Sequence, residues 1–364
     1  MQKLIAMNGM RPTGSLHLGH YTSALRLTLE LQNSSTCKEI YLMIADDQAL
    51  TDNYGNPAKV SDNVLEVALD YLSCGIDPSK VTILLQSQIP ALKEMAFYFL
   101  DLVSLSRLER NPTVKAELKQ KEFRNNIPVG FLSYPISQAA DIIAFNSDIV
   151  PVGEDQAPMV EQTNEIVHKF NLLFGNGKEV LHPCKIMLPS KKESLRLPGI
   201  DGKNKMSKSL NNCIYLKDSK EEIKKKVMSM YTDPLHLKIE DPGHTKNNPV
   251  FIYLEAFASD SHFKKYYPEF NSLKELKKAY EKGGIGDVKI KRFLLDVILE
   301  TLSPIQEKRK ELEKNIPYVY KVLEEGTKKA NKVANTTLKI IKEAIGLEYF
   351  NNSSLIESQI KKYQ

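Results

Sequence analysis

The chain of 364 residues is 42% hydrophobic and 26% charged, a composition typical of a globular protein large enough for two domains. It contains no run of about 20 apolar residues, as a spanning helix would need, and no secretory signal at its start, so we expect a cytoplasmic protein without membrane contact. Four scattered cysteines without a Cys-x-x-Cys pair argue against a disulfide framework and against a metal site. The net charge of +5 favours a polyanionic partner only weakly, because solvated Lys-rich faces are common.

Short apolar runs alternate with helix-length patterns in the first half of the chain. The runs cover residues 3–7, 40–45, 81–87 and 148–153. Between them, Leu18, Tyr21, Leu25 and Leu29 recur at helical spacing, and residues 60–75 repeat that pattern. This alternation predicts an α/β fold with a Rossmann-like parallel sheet. Ligands of such sheets bind beyond the carboxyl ends of the strands.

The stretch RPTGSLHLGH, residues 11–20, follows the first predicted strand. A proline and two glycines build a turn, Ser15 is expected to cap the next helix, and His17, Gly19 and His20 fall in its first turn. The N–H groups of a helix start favour an anion, and two imidazoles add donors for phosphate oxygens. Gly19 has no Cβ, so a flat ring can approach its backbone. The stretch therefore predicts a cradle for a nucleoside triphosphate.

A second stretch, DGKNKMSKSLNN, covers residues 201–212. Lys205 and Lys208 flank small hydroxyl residues in a Gly/Asn-rich loop. Lysine ammonium groups on a mobile loop can close over a polyphosphate and neutralise the charge of a departing pyrophosphate. The two stretches together favour phosphate chemistry more than either does alone.

Beyond residue 216 the sequence becomes amphipathic, Lys/Glu-rich and helical. We therefore expect two domains, a Rossmann-like domain over residues 1–215 that carries both phosphate-binding stretches, and a helical domain over residues 216–364 with a C-terminal tail.

The motifs HLGH and KMSKS resemble the paired signatures of class I aminoacyl-tRNA synthetases. VPVGEDQ, residues 150–156, is similar to the segment that tryptophanyl and tyrosyl members place between them. Stretches such as RLERNPTVK, GFLSYPISQAAD and KVMSMYTDP extend the resemblance to bacterial tryptophanyl-tRNA synthetases over nearly the whole chain.

The resemblance implies activation of L-tryptophan by ATP, with Mg²⁺ accompanying the nucleotide and no dedicated protein site for it, then transfer to tRNA(Trp). His17 and His20 would stabilise phosphates in the transition state, and Lys205 and Lys208 would hold the leaving pyrophosphate. Gly19 would lie against adenine, with Leu197 beside the base and with Gly153, Glu154 and Asp155 near the ribose. The expected ATP contacts are Arg11, Pro12, Thr13, Gly19, His20, Gly153, Glu154, Asp155, Leu197, Lys205, Met206, Ser207, Lys208 and Ser209.

The family's specificity helix matches residues 134–143, in which Tyr134, Gln138 and Asp141 share one face. An indole N–H is only a donor, so the carboxylate of Asp141 is a suitable partner. A phenol both donates and accepts, so this triplet also fits tyrosine, and a tyrosyl-tRNA synthetase stays open on the local motif. The chain-wide similarity favours tryptophan. The expected amino-acid contacts are Met7, Gln48, Tyr134, Gln138, Asp141 and Gln156.

Two further alternatives are an adenylyltransferase of the wider His-x-Gly-His superfamily and a non-catalytic, synthetase-like RNA-binding protein. The first would need no large helical domain, and the second would show erosion of one signature. The resemblance also implies that residues 1–215 form the catalytic domain, which binds ATP and the amino acid. It further implies that the helical domain binds the anticodon region and that the protein is a homodimer. A predicted helix around residues 97–111 is our candidate for part of the dimer interface.

Overall fold

The computed structural model describes residues 3–120, 126–189, 197–204, 206, 208–350 and 352–364, with Gln120 and Ser209 described by main chain only. The described residues include five strands, all paired in parallel, which confirms the predicted α/β class. The strands are β1 (Leu4–Met10), β2 (Cys37–Ile44), β3 (Thr82–Leu85), β4 (Ile149–Pro151) and β5 (Lys185–Met187).

The strand order in the sheet is β3-β2-β1-β4-β5. Met7 pairs with Tyr41 on one side of β1, and Ala6 pairs with Ile149 on the other. The order of the strands reverses between β1 and β4, and open α/β sheets place their ligand sites at such a switch point. The segment after β1 contains the first signature, HLGH. The segment VPVGEDQ begins within β4 and continues beyond its carboxyl end.

Helices cover both faces of the sheet and most of the second half of the chain. In the first half they are α1 (Leu18–His20), α2 (Arg26–Gln32), α3 (Asp46–Leu50), α4 (Pro57–Ser73), α5 (Pro90–Leu100), α6 (Leu105–Arg110), α7 (Pro112–Gln120), α8 (Val129–Ile143) and α9 (Ala157–Phe174). The second half contains α10 (Lys220–Met228), α11 (Pro249–Phe257), α12 (Asp260–Tyr266), α13 (Leu273–Lys282), α14 (Asp287–Glu313), α15 (Ile316–Ala344) and α16 (Ser353–Tyr363). A π-helical turn, Tyr21–Leu25, joins α1 to α2. None of the helices in the described part of the chain has the length and apolarity that a bilayer crossing requires.

The sheet separates two large hydrophobic cores. Alternate residues of β2 point to opposite faces, so Leu42 and Ile44 enter one core and Tyr41 and Met43 the other. The first core extends from the sheet to α10–α14, and the second contains residues of α5, α8, α9 and α15. Helices from beyond residue 216 thus complete both cores, and the expected boundary between residues 215 and 216 remains a prediction.

Two local predictions differ from the structure. β5 was not predicted, because three residues are too short to show an alternating pattern. The continuous helix expected around residues 97–111 is two helices, since α5 ends at Leu100 and α6 begins at Leu105. Between them, Leu102 and Val103 donate to the carbonyls of Phe99 and Leu100 in tight turns that interrupt the helical pattern.

Candidate active site

The first signature begins where β1 ends, and its two histidines form a compact pair. The N–H of Gly19 donates to Nδ1 of His17 at 3.2 Å, and the N–H of His17 donates to Nδ1 of His20 at 3.2 Å. The ring centroids are 3.8 Å apart. Because each Nδ1 accepts a hydrogen bond, the proton of each neutral ring lies on Nε2. Both rings therefore carry a donor suited to a phosphate oxygen.

The helix start differs from the sequence-based expectation, because His17 rather than Ser15 is the capping residue. The chain stays extended through His17 (φ −122°, ψ 170°), and the His17 side chain caps α1. Ser15 cannot serve as the cap, since its hydroxyl donates to Glu66 at 3.0 Å and lies two residues too early.

The structure brings the second signature onto the first. The ammonium group of Lys208 donates to the carbonyl oxygen of Gly14, and the N–H of Gly19 lies 3.4 Å from the sulfur of Met206. Burial lowers the pKa of Lys208 to about 8, an effect that the charge of Asp70 partly opposes. Lys205, Ser207 and the side chain of Ser209 lie outside the described residues.

Main-chain pairing holds the two signatures together. The N–H of Leu18 donates to the carbonyl of Ile214 at 3.0 Å, and the N–H of Leu216 donates to the carbonyl of Leu16, also at 3.0 Å. His17 and Tyr215 form an isolated antiparallel bridge between these bonds. The segment that follows the KMSKS loop is therefore fixed against the turn that carries the histidines.

The packing around Gly19 leaves little room for a Cβ. A Cβ there would lie 3.0 Å from the ring of His17 and 3.5 Å from the sulfur of Met206. Leu197, the other residue expected near the base, is buried, and its carbonyl accepts from Met206 N at 3.4 Å. The expected adenine contacts of Gly19 and Leu197 stay predictions.

Arg11 lies at the carboxyl end of β1 between two acids. It contacts Asp52 at 3.2 Å and Glu117 at 3.8 Å. Its carbonyl accepts from the N–H of Thr13, and Pro12 between them is buried. Arg11, Pro12 and Thr13 thus lie in the same turn as the histidine pair, on the β1 side of the switch point.

The segment after β4 lies on the other side of the switch point. Gly153 precedes a short 3₁₀ turn, Glu154–Gln156, that leads into α9. Glu154 and Asp155 are exposed, and the carbonyl of Asp155 accepts from the Thr113 hydroxyl at 3.1 Å. Gly153, Glu154 and Asp155 thus lie on the part of the surface where a ribose is expected.

Asp141 is a buried carboxylate on α8, only 2% exposed. Its Oδ2 accepts from Nε2 of Gln86 at 2.7 Å, whereas its Oδ1 has no hydrogen-bond partner among the described residues. Burial raises the pKa of Asp141 to about 7; the Gln86 hydrogen bond lowers it, and the charges of Asp47 and Asp46 raise it further. A buried acceptor with one open oxygen suits a ligand that donates an N–H.

Gln86 is a site residue that the sequence analysis did not identify. It is 2% exposed, directly follows β3, and uses its second atom, Oε1, to accept from the main-chain N–H of Gln48 at 3.0 Å. Gln86 therefore connects Asp141 with the segment after β2. Its place at the carboxyl end of a predicted strand was the signal that could have found it.

The other residues expected around the amino acid lie on α8 and its neighbours. Gln138 donates to Gln156 at 3.2 Å, and Met7 is buried in β1. The hydroxyl of Tyr134 and Oε2 of Glu117 are both buried, and the Glu117 carboxylate interacts with the Tyr134 hydroxyl. Burial, reinforced by the charge of Glu117, raises the pKa of Tyr134. Glu117 was not predicted; its half-buried carboxylate contacts Arg11 and interacts with Tyr134, and so connects the two groups of expected contacts.

The described residues contain no group of three or more His, Cys, Asp or Glu side chains arranged to hold a metal ion. Among the described residues, the polar groups expected to contact ligands include two imidazoles and one lysine at the turn and the buried carboxylate of Asp141 on α8.

A model of the tRNA synthetases of class I (W and Y) matches residues 1–303. The chain belongs to this family. As a class I synthetase it is similar to the tryptophan–tRNA ligase of Clostridium longisporum, with 55% identity over 97% of this chain and 99% of the relative. It is also similar to the tryptophan–tRNA ligase of Lactococcus lactis, with 50% identity over 96% of this chain and all of the relative.

Solved structures of the family have the same architecture. The tryptophanyl-tRNA synthetase of Campylobacter jejuni, complexed with ADP and tryptophan, superposes with a TM-score of 0.77 and 30% identity over 94% of this chain and all of that one. The predicted resemblance to class I synthetases is confirmed, and so is the predicted Rossmann-like catalytic fold. The chain is an aminoacyl-tRNA synthetase.

Proposed function

We propose that this synthetase activates L-tryptophan with ATP, forms tryptophanyl-adenylate and pyrophosphate, and transfers the tryptophanyl group to tRNA(Trp). The support is the identity of 50–55% with tryptophan–tRNA ligases over nearly the whole chain. The observation in the site that carries the proposal is Asp141, a buried carboxylate with one oxygen held by Gln86 and the other open for an indole N–H.

In the first step, a carboxylate oxygen of tryptophan attacks the α-phosphorus of ATP in line with the α–β bridging oxygen. The new P–O bond forms as the bridging bond breaks, and pyrophosphate leaves with its electron pair. The protein contributes position and charge rather than covalent chemistry. Nε2–H of His17 and of His20 would donate to phosphate oxygens, and Lys208, with Lys205, would neutralise the leaving pyrophosphate. Mg²⁺ would accompany ATP.

In the second step, a hydroxyl of the terminal ribose of tRNA attacks the activated carbonyl carbon. The ester bond forms, AMP leaves, and the hydroxyl proton is lost to a phosphate oxygen or to solvent. The turn over residues 11–20, which carries His17 and His20, is called the signature turn below. We infer that the nucleotide lies between the signature turn and residues 153–155, at the switch point of the sheet. The charging of tRNA assigns the protein to the cytoplasm.

The amino-acid pocket would lie beneath this nucleotide, bounded by Met7, Gln48, Tyr134, Gln138, Asp141 and Gln156. Tyrosine is the competing substrate, because a phenol could donate to Asp141 as an indole does. The direct test is ATP–pyrophosphate exchange with tryptophan or tyrosine as the only amino acid. Exchange with tryptophan alone supports the proposal, whereas exchange with tyrosine alone would show that the triplet binds a phenol.

We further propose a homodimer, and that helices beyond residue 216 contact the anticodon region of tRNA. The candidate dimer surface combines α5 and α6, where Phe97 is 67% exposed, Leu100 is 40% exposed and Leu105 is 60% exposed. Exposed apolar side chains on neighbouring elements are typical of an interface. Lys-rich helix faces would contact phosphates, which position an RNA without reading its sequence.

A further inference from the structure

A buried ion pair connects α14 with the turn that precedes His17. Asp70, on α4, is 0% exposed. Its Oδ2 accepts from the main-chain N–H of Leu16 at 2.7 Å, and its Oδ1 accepts from Nη1 of Arg309 at 2.6 Å. Asp70 therefore binds Leu16, the residue before His17, through one carboxylate oxygen. Through its other oxygen it binds Arg309, which lies in the second half of the chain.

A second carboxylate, one helical turn earlier on α4, strengthens this connection. Oε2 of Glu66 accepts from the hydroxyl of Ser15 at 3.0 Å, from Nη2 of Arg309 at 3.0 Å and from Lys217 at 2.7 Å. Arg309 thus bridges two acids with its two terminal nitrogens, and each of those acids holds one residue of the signature turn. The planar guanidinium suits this role, because its donors are fixed relative to one another.

The same helix also holds the segment that follows the second signature. Gln306, nearly one turn before Arg309 on α14, donates to the carbonyl of Leu216 at 3.1 Å and to that of Asp218 at 2.8 Å. Leu216 in turn pairs with Leu16 through the main chain. One face of α14 is therefore linked through Asp70 and Glu66 to the turn before His17, and it directly contacts the segment that follows the second signature.

The positive charge of Arg309 favours the ionised form of Asp70. Burial raises the pKa of Asp70 to about 6, and the positive charge of Arg309 opposes that rise, as does the hydrogen bond from Leu16. The negative charge of Asp70 also acts on Lys208, since it partly restores the pKa that burial lowers. A buried carboxylate without its partner is costly, so the geometry of the turn depends on the pair.

From these contacts we propose that Arg309 is a positioning residue: through Asp70 and Glu66 it fixes Ser15 and Leu16, so that α14 sets the orientation of His17 and His20 toward the phosphates of ATP. This inference rests on the proposed function, because it concerns the same nucleotide site. It predicts a defect in the use of ATP that spares the binding of the amino acid.

The test compares Arg309→Met with Lys308→Met, which removes a charge from the adjacent residue of α14, where Lys308 makes only an exposed pair with Glu311. ATP–pyrophosphate exchange gives kcat and KM for ATP. Binding of L-tryptophan is followed through the fluorescence of the ligand itself, since the chain contains no tryptophan. Activity of the unmodified protein tests the proposed function separately, before any variant is compared.

We expect Arg309→Met to lower kcat/KM for ATP on the order of 10- to 100-fold, the range that a small misplacement of catalytic groups produces. Affinity for L-tryptophan should change less than about twofold, Lys308→Met should match the unmodified protein, and Arg309→Lys, which keeps the charge, should recover part of the loss. A folded Arg309→Met with unchanged ATP kinetics would overturn the proposal. So would a parallel loss of ATP use and tryptophan binding.

If Arg309→Met does not fold, the double variant Asp70→Asn/Arg309→Met decides, because it removes both charges of the buried pair while the introduced amide oxygen can still accept from Leu16. The proposal expects it to bind tryptophan normally and to use ATP poorly, since the connection to α14 is lost. Normal ATP kinetics in the folded double variant, or an equal defect in both substrates, would contradict it.

Discussion

At the scale of single residues, the choice of amino acid depends on which group hydrogen-bonds to each carboxylate oxygen of Asp141. Gln86 occupies one of them, and the other is buried without a partner among the described residues. A carboxylate can accept from Gln86 and from an indole at the same time. An asparagine has one acceptor oxygen, and its amide nitrogen would face a second donor.

We therefore predict that Asp141→Asn lowers kcat/KM for tryptophan activation on the order of 100-fold or more, because a buried polar group would be wrongly paired. Pyrophosphate exchange measures this loss. Asp62→Asn, an exposed carboxylate on α4, is the matched control and should leave the rate unchanged. An Asp141→Asn enzyme with normal tryptophan activation would exclude Asp141 as the indole partner.

The raised pKa of Asp141 gives this contact a pH dependence. With a pKa of about 7, the carboxyl is mostly neutral at pH 6 and mostly ionised at pH 8, and the ionised form is the better acceptor. Affinity for L-tryptophan should therefore rise up to about tenfold between pH 6 and pH 8. Fluorescence titration of the ligand measures it. A flat profile in the unmodified protein, or the same slope in Asp141→Asn, would contradict this assignment.

At the scale of elements, α15 lies close against the end strand β3. Thr327 accepts the N–H of Leu85 at 3.0 Å, and a Cβ on Gly326 would lie only 1.9 Å from the carbonyl oxygen of Ile83. The helix thus covers an edge that would otherwise present unpaired backbone groups. Gly326 is required here because any side chain would push the helix away from the strand.

Gly326→Ala is therefore expected to destabilise the protein by about 1–3 kcal/mol, a typical cost of overpacking. The gain of about 1 kcal/mol in helix propensity does not offset the forced displacement of the backbone. Urea unfolding measures the difference. Gly55→Ala, where a Cβ would meet nothing within 4 Å, is the control. Equal stability of Gly326→Ala and the parent would show that α15 does not pack this closely.

These elements also show how far the sequence could predict the structure. The parallel sheet and the turn at His17 follow from local patterns, because strand periodicity and Pro/Gly placement are written in consecutive residues. The docking of α15 on β3 and the pairing of Arg309 with Asp70 could not be predicted, since each joins residues more than 200 positions apart. Gln86 lies between these cases, because its strand was predicted but its partner Asp141 is distant in sequence.

At the scale of the whole molecule, the helices beyond residue 216 complete the cores on both faces of the sheet. The link from α14 through Asp70 and Glu66 to Ser15 and Leu16 belongs to this shared packing. The exposed surface of α5 and α6 is different, because its apolar side chains lie outside the chain's own core. A second copy of the chain is the occupant we propose for it.

Phe97→Glu should accordingly convert the dimer to monomers, because the charge would be buried in an apolar interface. Leu237→Glu alters another apolar side chain, 84% exposed and distant in sequence from α5 and α6, and should leave the dimer intact. Sedimentation velocity distinguishes the two results. A monomeric parent protein, or dissociation caused only by Leu237→Glu, would contradict the assigned surface.

This synthetase should attach tryptophan to tRNA(Trp), and an aminoacylation assay measures that reaction. Purified protein would be incubated with ATP and Mg²⁺ and with tRNA(Trp) plus tryptophan or tRNA(Tyr) plus tyrosine, and the charged tRNA would be quantified. We predict charging of tRNA(Trp) with tryptophan and none of tRNA(Tyr) with tyrosine. Charging of tRNA(Tyr) alone, or of neither, would contradict the account.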